Sequence, residues 1–142
     1  MMELPYAEDI NHYWQTSNSS PDQWLEKAKK LIVEIGGTII AEGFGAMEGH
    51  SAYMLSFTIG RERFKVIWPV LPSRTGKTLA AKRQAATLLY HDIKAKAMTA
   101  SVLGTRVAFF SYMMFEDGRT ASELAAPELP EEFPLQLAKG GV

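Results

Sequence analysis

The chain has 142 residues, of which 46% are hydrophobic and 22% charged, and its formal net charge is −1. This length fits one domain with a core large enough to fold alone, and the absence of cysteine excludes disulfides, thiolate metal sites and cysteine nucleophiles. No apolar run reaches the ~18 residues of a membrane span, and the acidic N-terminus lacks the layout of a secretory signal, so we expect a cytoplasmic protein.

The first predicted segments are an arm and a helix. Residues 1–19 are polar with isolated aromatics, which predicts an arm that is either a loose lead-in or packs on a neighbouring subunit. Ser20 then supplies an N-cap, Pro21 a first helical residue and Gln23 the partner of a capping box. Apolar residues follow as a single stripe from position 24 to position 35, and Gly36-Gly37 ends the helix.

The next stretch changes to the two-residue period of β-strands. A strand begins at Thr38, and Gly43, Gly45 and Gly49 predict a bend around Phe44. Apolar residues then alternate with small or polar ones in two further strands, closed by a proline; the inward set is Tyr53, Leu55, Phe57 and Ile59, then Phe64, Val66 and Trp68, before Pro69. The pattern predicts a three-stranded antiparallel meander.

A long second helix is predicted from about Lys77 to Gly104. One of its sides is apolar: Leu79, Ala86, Leu89, Ile93 and Ala100. Another side is polar within an arc of about 100°: Arg83, Gln84, Thr87, His91 and Lys94. The apolar residues 107–115 fit either a buried strand or a helical extension, 116–119 predict a turn, and the capping-box pattern of 120–123 predicts a short helix.

These elements predict one α+β domain over residues 20–126, with the long second helix packed on one face of the antiparallel sheet. The arm over residues 1–19 precedes this domain. An acidic tail that contains prolines, residues 127–142, follows it.

The charges are divided strongly along the chain. Residues 61–106 hold ten basic and two acidic residues, a net charge of +8, whereas residues 1–60 carry −5 and residues 107–142 carry −4. A basic centre of this kind favours an anionic partner.

Arg61, Arg63 and Lys65 are predicted to project from one face of the third strand, near Ser56 and Thr58 of the second. The positive field extends through the following loop and helix, at Arg74, Lys77, Lys82, Arg83 and Lys94. Such a surface binds phosphates by charge without reading base sequence. The alternative is an ordinary solvated face.

Other chemistry has weaker signals. Gly76-Lys77-Thr78 opens a helix after a strand, as in a phosphate-binding loop, but Leu71 stands where the full motif requires glycine. The three histidines, His12, His50 and His91, have no metal-ligand spacing. Without a nucleophile motif or a buried carboxylate pair, the sequence contains no catalytic signature, and we predict no metal and no cofactor.

Four short motifs carry a resemblance: Ser56-Phe57, Phe64-Lys65-Val66, Arg83-Gln84-Ala85-Ala86 and residues 115–121. Together they resemble small uncharacterised proteins of phages and mobile elements over residues 22–126. The element order is distantly similar to single-strand annealing proteins. It also resembles double-stranded-RNA-binding domains, in which a basic helix start follows the third strand, as Lys77, Lys82 and Arg83 do here.

The sequence therefore predicts a non-enzymatic nucleic-acid-binding protein, with single-stranded DNA as the expected partner. Two alternatives remain. One is an interaction module that forms a homo-oligomer through its basic centre and acidic ends. The other is a small phosphate- or nucleotide-binding protein that uses Gly76-Lys77-Thr78.

Overall fold

The helices and strands follow the predicted α-β-β-β-α order. A computed structural model describes residues 4–16, 18–47 and 50–122. Its main elements are α1 (Pro21–Glu34), β1 (Gly37–Met47), β2 (His50–Ile59), β3 (Glu62–Val70), α2 (Thr78–Leu103) and α3 (Thr105–Ala108). Short 3-10 turns lie at Ala7–Asp9 and Phe110–Tyr112. The strands form an antiparallel sheet in the order β1-β2-β3, which confirms the α+β class.

The predicted start of α1 is confirmed in atomic detail. The Gln23 backbone N–H donates to Ser20 Oγ at 3.2 Å, and the Ser20 backbone N–H donates to Gln23 Oε1 at 2.9 Å. Both hydrogen bonds satisfy donors that a helix leaves open at its N-terminus. The helix ends at Glu34, and Gly36 adopts a φ of +94°, which favours glycine.

The sheet buries the predicted inward face of β2 and β3. Phe57 pairs with Phe64 and Leu55 with Val66 across the two strands, and all four side chains are buried. The prediction that Pro69 closes the third strand is wrong by one residue, because β3 continues to Val70.

The predicted bend around Phe44 is also wrong. β1 runs without interruption from Gly37 to Met47, and Gly43 and Gly45 both pair with residues of β2. Its register shifts only between Ile39 and Ala41. Strand pairing uses backbone groups, so the neighbouring strand keeps these glycines extended although glycine alone weakens a strand.

Both long helices pack on the same face of the sheet. Their buried residues join one hydrophobic cluster with the inward residues of β2 and β3; from the helices it includes Ala28, Ile32, Ala81, Ala85, Ala86, Leu89 and Ile93. The alanines bring α2 close to the sheet because their side chains are short. The opposite face of the sheet, which carries Arg63 and Lys65, is not covered by either helix.

The predicted polar side of α2 is partly buried instead. Gln84 and Thr87 are 1% and 0% exposed, whereas Leu79 from the predicted apolar side is 53% exposed. The cause is the N-terminal segment: Gln84 Nε2 donates to backbone carbonyls of Ala7, Ile10 and His12 at 3.0–3.4 Å. Ala7 itself is fully buried in the core cluster.

Residues 105–115 combine features of the two predicted alternatives. α3 and the 3-10 turn come first, and then Met113 forms an isolated antiparallel bridge with Phe64 of β3. Phe109, between α3 and the 3-10 turn, is fully buried, and its ring centre lies 5.7 Å from that of Phe57. The predicted turn after it is confirmed, since the Gly118 N–H donates to the Phe115 carbonyl at 2.9 Å.

The predicted helix beginning at Thr120 lies mostly outside the described residues, as does the whole tail over residues 127–142. Within the described part of the chain, no helix has the length and apolar character needed to cross a membrane.

Candidate nucleic-acid interface

The first basic group lies at the turn between β2 and β3 and comprises Arg61, Arg63 and Lys65. Cross-strand pairing sets Arg63 opposite Thr58 and Lys65 opposite Ser56 on the face of the sheet away from the helices. Arg61 lies in the turn just before β3 begins, so the strand alternation that was predicted to align it with Arg63 does not apply to it. Arg61 and Arg63 are both exposed.

Lys65 is tied to the C-terminal part of the described chain. Its Nζ donates to the Gly118 carbonyl at 3.3 Å, and the neighbouring Arg63 carbonyl accepts a hydrogen bond from the Met114 N–H at 2.8 Å. These contacts hold the 115–119 turn beside β3. Lys65 is therefore partly a structural residue, unlike Arg61 and Arg63.

The second basic group surrounds the start of α2 and comprises Arg74, Lys77, Lys82 and Arg83. Arg74 is paired with an acidic residue. The Arg74 guanidinium forms a salt bridge with Asp9 and lies 4.6 Å from the ring centre of Tyr6. The Asp9 hydrogen bond is the main cause of the raised pKa of Arg74. Arg74 thus fixes the N-terminal segment to the loop after β3.

Glu8 occupies the same loop. Its carboxylate accepts hydrogen bonds from the Ser73 hydroxyl at 2.7 Å, from the Thr75 hydroxyl at 2.9 Å and from the Arg74 N–H at 3.1 Å. The Ser73 hydroxyl is the largest cause that lowers the pKa of Glu8 to about 2.

The backbone donors of this loop are already used. The N–H groups of residues 74–78 all donate within the chain, to Glu8, to Ser73 or to Gly76. A phosphate-binding loop needs such groups free to surround its anion. Gly76-Lys77-Thr78 therefore does not have the geometry of a nucleotide-binding loop.

The remaining predicted cations of α2 differ in their surroundings. Lys77 and Lys94 are exposed, and Lys82 Nζ lies 4.8 Å from the ring centre of Phe44 on β1. Arg83 is half-buried, and its Nε has no hydrogen-bond partner among the described residues.

The two groups lie at opposite ends of the sheet. β3 runs for nine residues from the turn that holds Arg61 to the loop that leads into α2, a length of about 30 Å. Lys94 is 16 residues after the first residue of α2, about 24 Å back along the helix. The basic centre of the sequence is therefore two groups in space, with Lys94 towards the Arg61 end.

Half of the carboxylates among the described residues pair with cations other than the predicted ones. Lys29 pairs with Glu26 and Glu42, and Lys96 with Asp92. Arg106 and Arg119 pair with Glu62 and Asp117. Among the described residues, no carboxylate pairs with six of the predicted cations: Arg61, Arg63, Lys77, Lys82, Arg83 and Lys94.

A cavity of about 450 Å³ lies between α1 and the first two strands. Three carboxylates line it, those of Asp22, Glu26 and Glu42, together with the rings of Phe44 and Tyr53. Burial is the main cause that raises the pKa of Tyr53 to about 12, and Asp22 adds to it. This cavity repels anionic ligands, so it does not extend the basic groups.

An aromatic cluster lies at the helix surface that the sequence pattern does not predict. The Tyr13 ring stacks on the His91 ring, with ring centres 4.8 Å apart and an angle of 4° between the planes. The ring centre of Trp24 lies 5.8 Å from that of His91. Burial lowers the pKa of His91, and Lys94 lowers it further. The alternation of the sequence carries no signal for this cluster because its members come from three separate segments.

Within the described residues, no group of three or more histidine or acidic side chains has a metal-binding arrangement. Comparison of the chain with protein-family models, with curated proteins and with solved structures finds no match. The resemblance to phage and mobile-element proteins consequently stays a prediction from sequence motifs.

Proposed function

We propose that this protein binds single-stranded DNA through its backbone phosphates and without sequence preference, as a non-enzymatic cytoplasmic protein of phage or mobile-element origin. The observation that carries the proposal is the set of six predicted cations without a carboxylate partner among the described residues: Arg61, Arg63, Lys77, Lys82, Arg83 and Lys94. Neutralising phosphates with such cations releases counterions and drives association.

The sheet face beside the first group suits phosphate contacts. Arg63 is exposed and lies opposite Thr58, whose hydroxyl can also donate to a phosphate oxygen. No described helix projects from this face to enter a groove. Contacts of this kind fix the position of a nucleic acid but carry no base information.

Phe44 supports a single strand over a duplex; because its ring also borders the acidic cavity, the expected contact is with an uncharged base and not with a phosphate. Its ring is 44% exposed, and Lys82 lies above it. Unpaired bases stack on exposed aromatic rings while nearby cations contact the backbone. Bases within a duplex are not available for such stacking.

Salt titration of binding to a labelled oligonucleotide of about 20 nucleotides, longer than the ~4–16 that a small binding domain covers, tests the proposal. The variant Arg61→Ala/Arg63→Ala should bind more weakly. Its slope of log affinity against log salt should also be shallower by about 1.4, since each lost phosphate contact removes ~0.7 for a single strand.

Lys30→Ala provides the matched control, because Lys30 is an exposed lysine outside both groups. It should leave the slope nearly unchanged. Absence of binding at low salt, or equal losses in Lys30→Ala and the double variant, would contradict the proposal. Binding to duplex RNA in preference to single-stranded DNA would assign the surface to a different nucleic acid.

The two alternative functions receive less support. Glu8 fills the loop before Gly76-Lys77-Thr78, which disfavours phosphate or nucleotide binding there. Glu8 and Asp9 bind the chain's own loop, which leaves them less available to the basic centre of a second copy.

A further inference from the structure

Over its last ten residues α2 has little contact with the hydrophobic core, against which Ala100 packs. The buried residues of this helix end at Ile93, and none of residues 94–103 is buried. The helix has 26 residues, about 39 Å, whereas the strand that it packs on is about 30 Å long. Helices in proteins owe most of their stability to packing of an apolar face, so an extension of this kind favours a partner.

The exposed surface at this end of the molecule is apolar. Five large side chains are each more than half exposed: Met98 61%, Val102 81%, Leu103 60%, Val107 61% and Phe110 54%. Their exposed areas sum to on the order of 500 Å², the size of the biggest apolar patches of typical monomers, which are often functional. We call these five residues the apolar end.

One stripe of the extension has the spacing of a helix-pairing surface. Ala95, Met98, Thr99 and Val102 are all exposed and follow the spacing i, i+3, i+4, i+7. The Thr99 hydroxyl donates to the Ala95 carbonyl at 3.1 Å, so its polar group is already satisfied. Ala95 and Thr99 are small enough for a second helix to approach closely.

We propose that the apolar end is the interface of a twofold homodimer in which the α2 extensions of two copies pair antiparallel. The area per copy, on the order of 500 Å², supplies the apolar core of an interface whose standard size is ~800 Å² per partner. The rim carries the Arg106–Glu62 pair, one charge of each sign, which is self-complementary.

Charge selects the antiparallel arrangement. Lys94, the exposed cation at the start of the stripe, lies about 15 Å from the helix end. A parallel pair brings the two Lys94 side chains together. In the antiparallel pair each Lys94 instead lies beside the carbonyl end of the partner helix, where the helix dipole favours a cation.

Sedimentation velocity from about 1 μM to about 100 μM, which brackets a micromolar dissociation constant, tests the dimer. Val102→Lys should raise the dissociation constant about tenfold or more, because it places a second cation in the interface beside Lys94 of the other copy. Lysine favours a helix more than valine does, so the variant keeps its fold. Ile40→Lys adds the same charge at a side chain that is 60% exposed on β1, and it should dimerise like the wild type.

Cross-linking tests the arrangement directly. The chain has no cysteine, so an introduced cysteine is the single site at which a thiol reagent reacts. Met98→Cys lies near the proposed twofold axis and should give a covalent dimer with a short bismaleimide, whereas Ile40→Cys should not. A wild-type protein that stays monomeric throughout the concentration range overturns the proposal. So does an Ile40→Lys variant whose dimer dissociation constant is raised as much as that of Val102→Lys. The readout is mass alone, so its failure is distinguishable from a failure of DNA binding.

Discussion

At Gln84, a single side-chain amide fixes the N-terminal segment against α2. Its two hydrogens are shared by the carbonyls of Ala7, Ile10 and His12. The side chain is 1% exposed, so water does not replace these bonds when the amide is removed. One residue thereby joins the first segment of the chain to its longest helix.

Gln84→Met keeps the volume of the side chain but removes its donors. Loss of the hydrogen bonds to the three carbonyls should lower the free energy of unfolding by about 1–3 kcal/mol, because these carbonyls are left without partners. Urea denaturation measures this loss, and amide hydrogen exchange should increase at residues 7–12. Lys30→Met, at an exposed position of α1, should change the free energy of unfolding by no more than about 0.5 kcal/mol and leave the exchange at residues 7–12 unchanged.

Glu8 makes the stability of the fold depend on pH. Its hydrogen bonds to the loop, first of all the one from Ser73, lower its folded pKa from 4.5 to about 2. The folded protein therefore prefers the ionised carboxylate more than the unfolded chain does. This contribution to stability is fully present above pH 4.5 and is lost as the pH falls towards 2.

Glu8→Gln should be less stable than the wild type at neutral pH, because the neutral amide accepts weaker hydrogen bonds from the loop. The difference in the free energy of unfolding between the two proteins should shrink as the pH falls from 4.5 towards 2. Chemical denaturation at several pH values provides the measurement. A difference that stays constant over this window would show that the charge of Glu8 is not responsible.

Among the elements, α1 is predictable because its signals are local. Ser20 and Gln23 are three residues apart, and the apolar stripe lies within the helix itself. The continuity of β1 is not local, since it depends on backbone pairing of Gly43 and Gly45 with β2. The burial of Gln84 depends on a segment 77 residues earlier, and no helical period records such a contact.

Two glycines of β1 provide a matched test of element packing. A Cβ on Gly37 would lie 2.5 Å from Ile32 Cγ2 and 2.8 Å from the Ile32 carbonyl oxygen, whereas a Cβ on Gly43 would meet nothing within 4 Å. Gly37→Ala should therefore separate α1 from β1 and lower the free energy of unfolding by about 1–3 kcal/mol.

Gly43→Ala should be neutral or stabilising by up to about 1 kcal/mol, because alanine restricts the unfolded chain more than glycine does. Thermal and urea unfolding of both variants gives the comparison. Similar losses at the two positions would mean that the contact between Ile32 and Gly37 does not limit the packing.

At the scale of the whole molecule, the sequence identifies which residues are basic but not how they are grouped. The alternation of β3 correctly predicts that Arg63 and Lys65 flank Thr58 and Ser56. The pairing of Arg74 with Asp9 joins residues that are 65 positions apart. Charge counted along the chain contains no such information, so the division into two groups follows only from the fold.

This division predicts how DNA affinity responds to combined substitutions. The groups are about 30 Å apart along β3, so neither perturbs the other directly. Arg61→Ala/Arg63→Ala and Lys77→Ala/Lys82→Ala should each weaken binding of an oligonucleotide of about 20 nucleotides, long enough to contact both groups. In the quadruple variant the losses of binding free energy should add within about 0.5 kcal/mol.

A short probe separates the groups. A stacked strand of about five nucleotides extends ~17 Å, about half of the distance between the groups, so it contacts one group at a time. Its affinity should then fall strongly with one double variant and little with the other. The contrary result is that the two double variants lose equal binding free energy with both the long and the short oligonucleotide, without additive losses in the quadruple variant. That result would mean that a single strand does not follow the sheet from one basic group to the other.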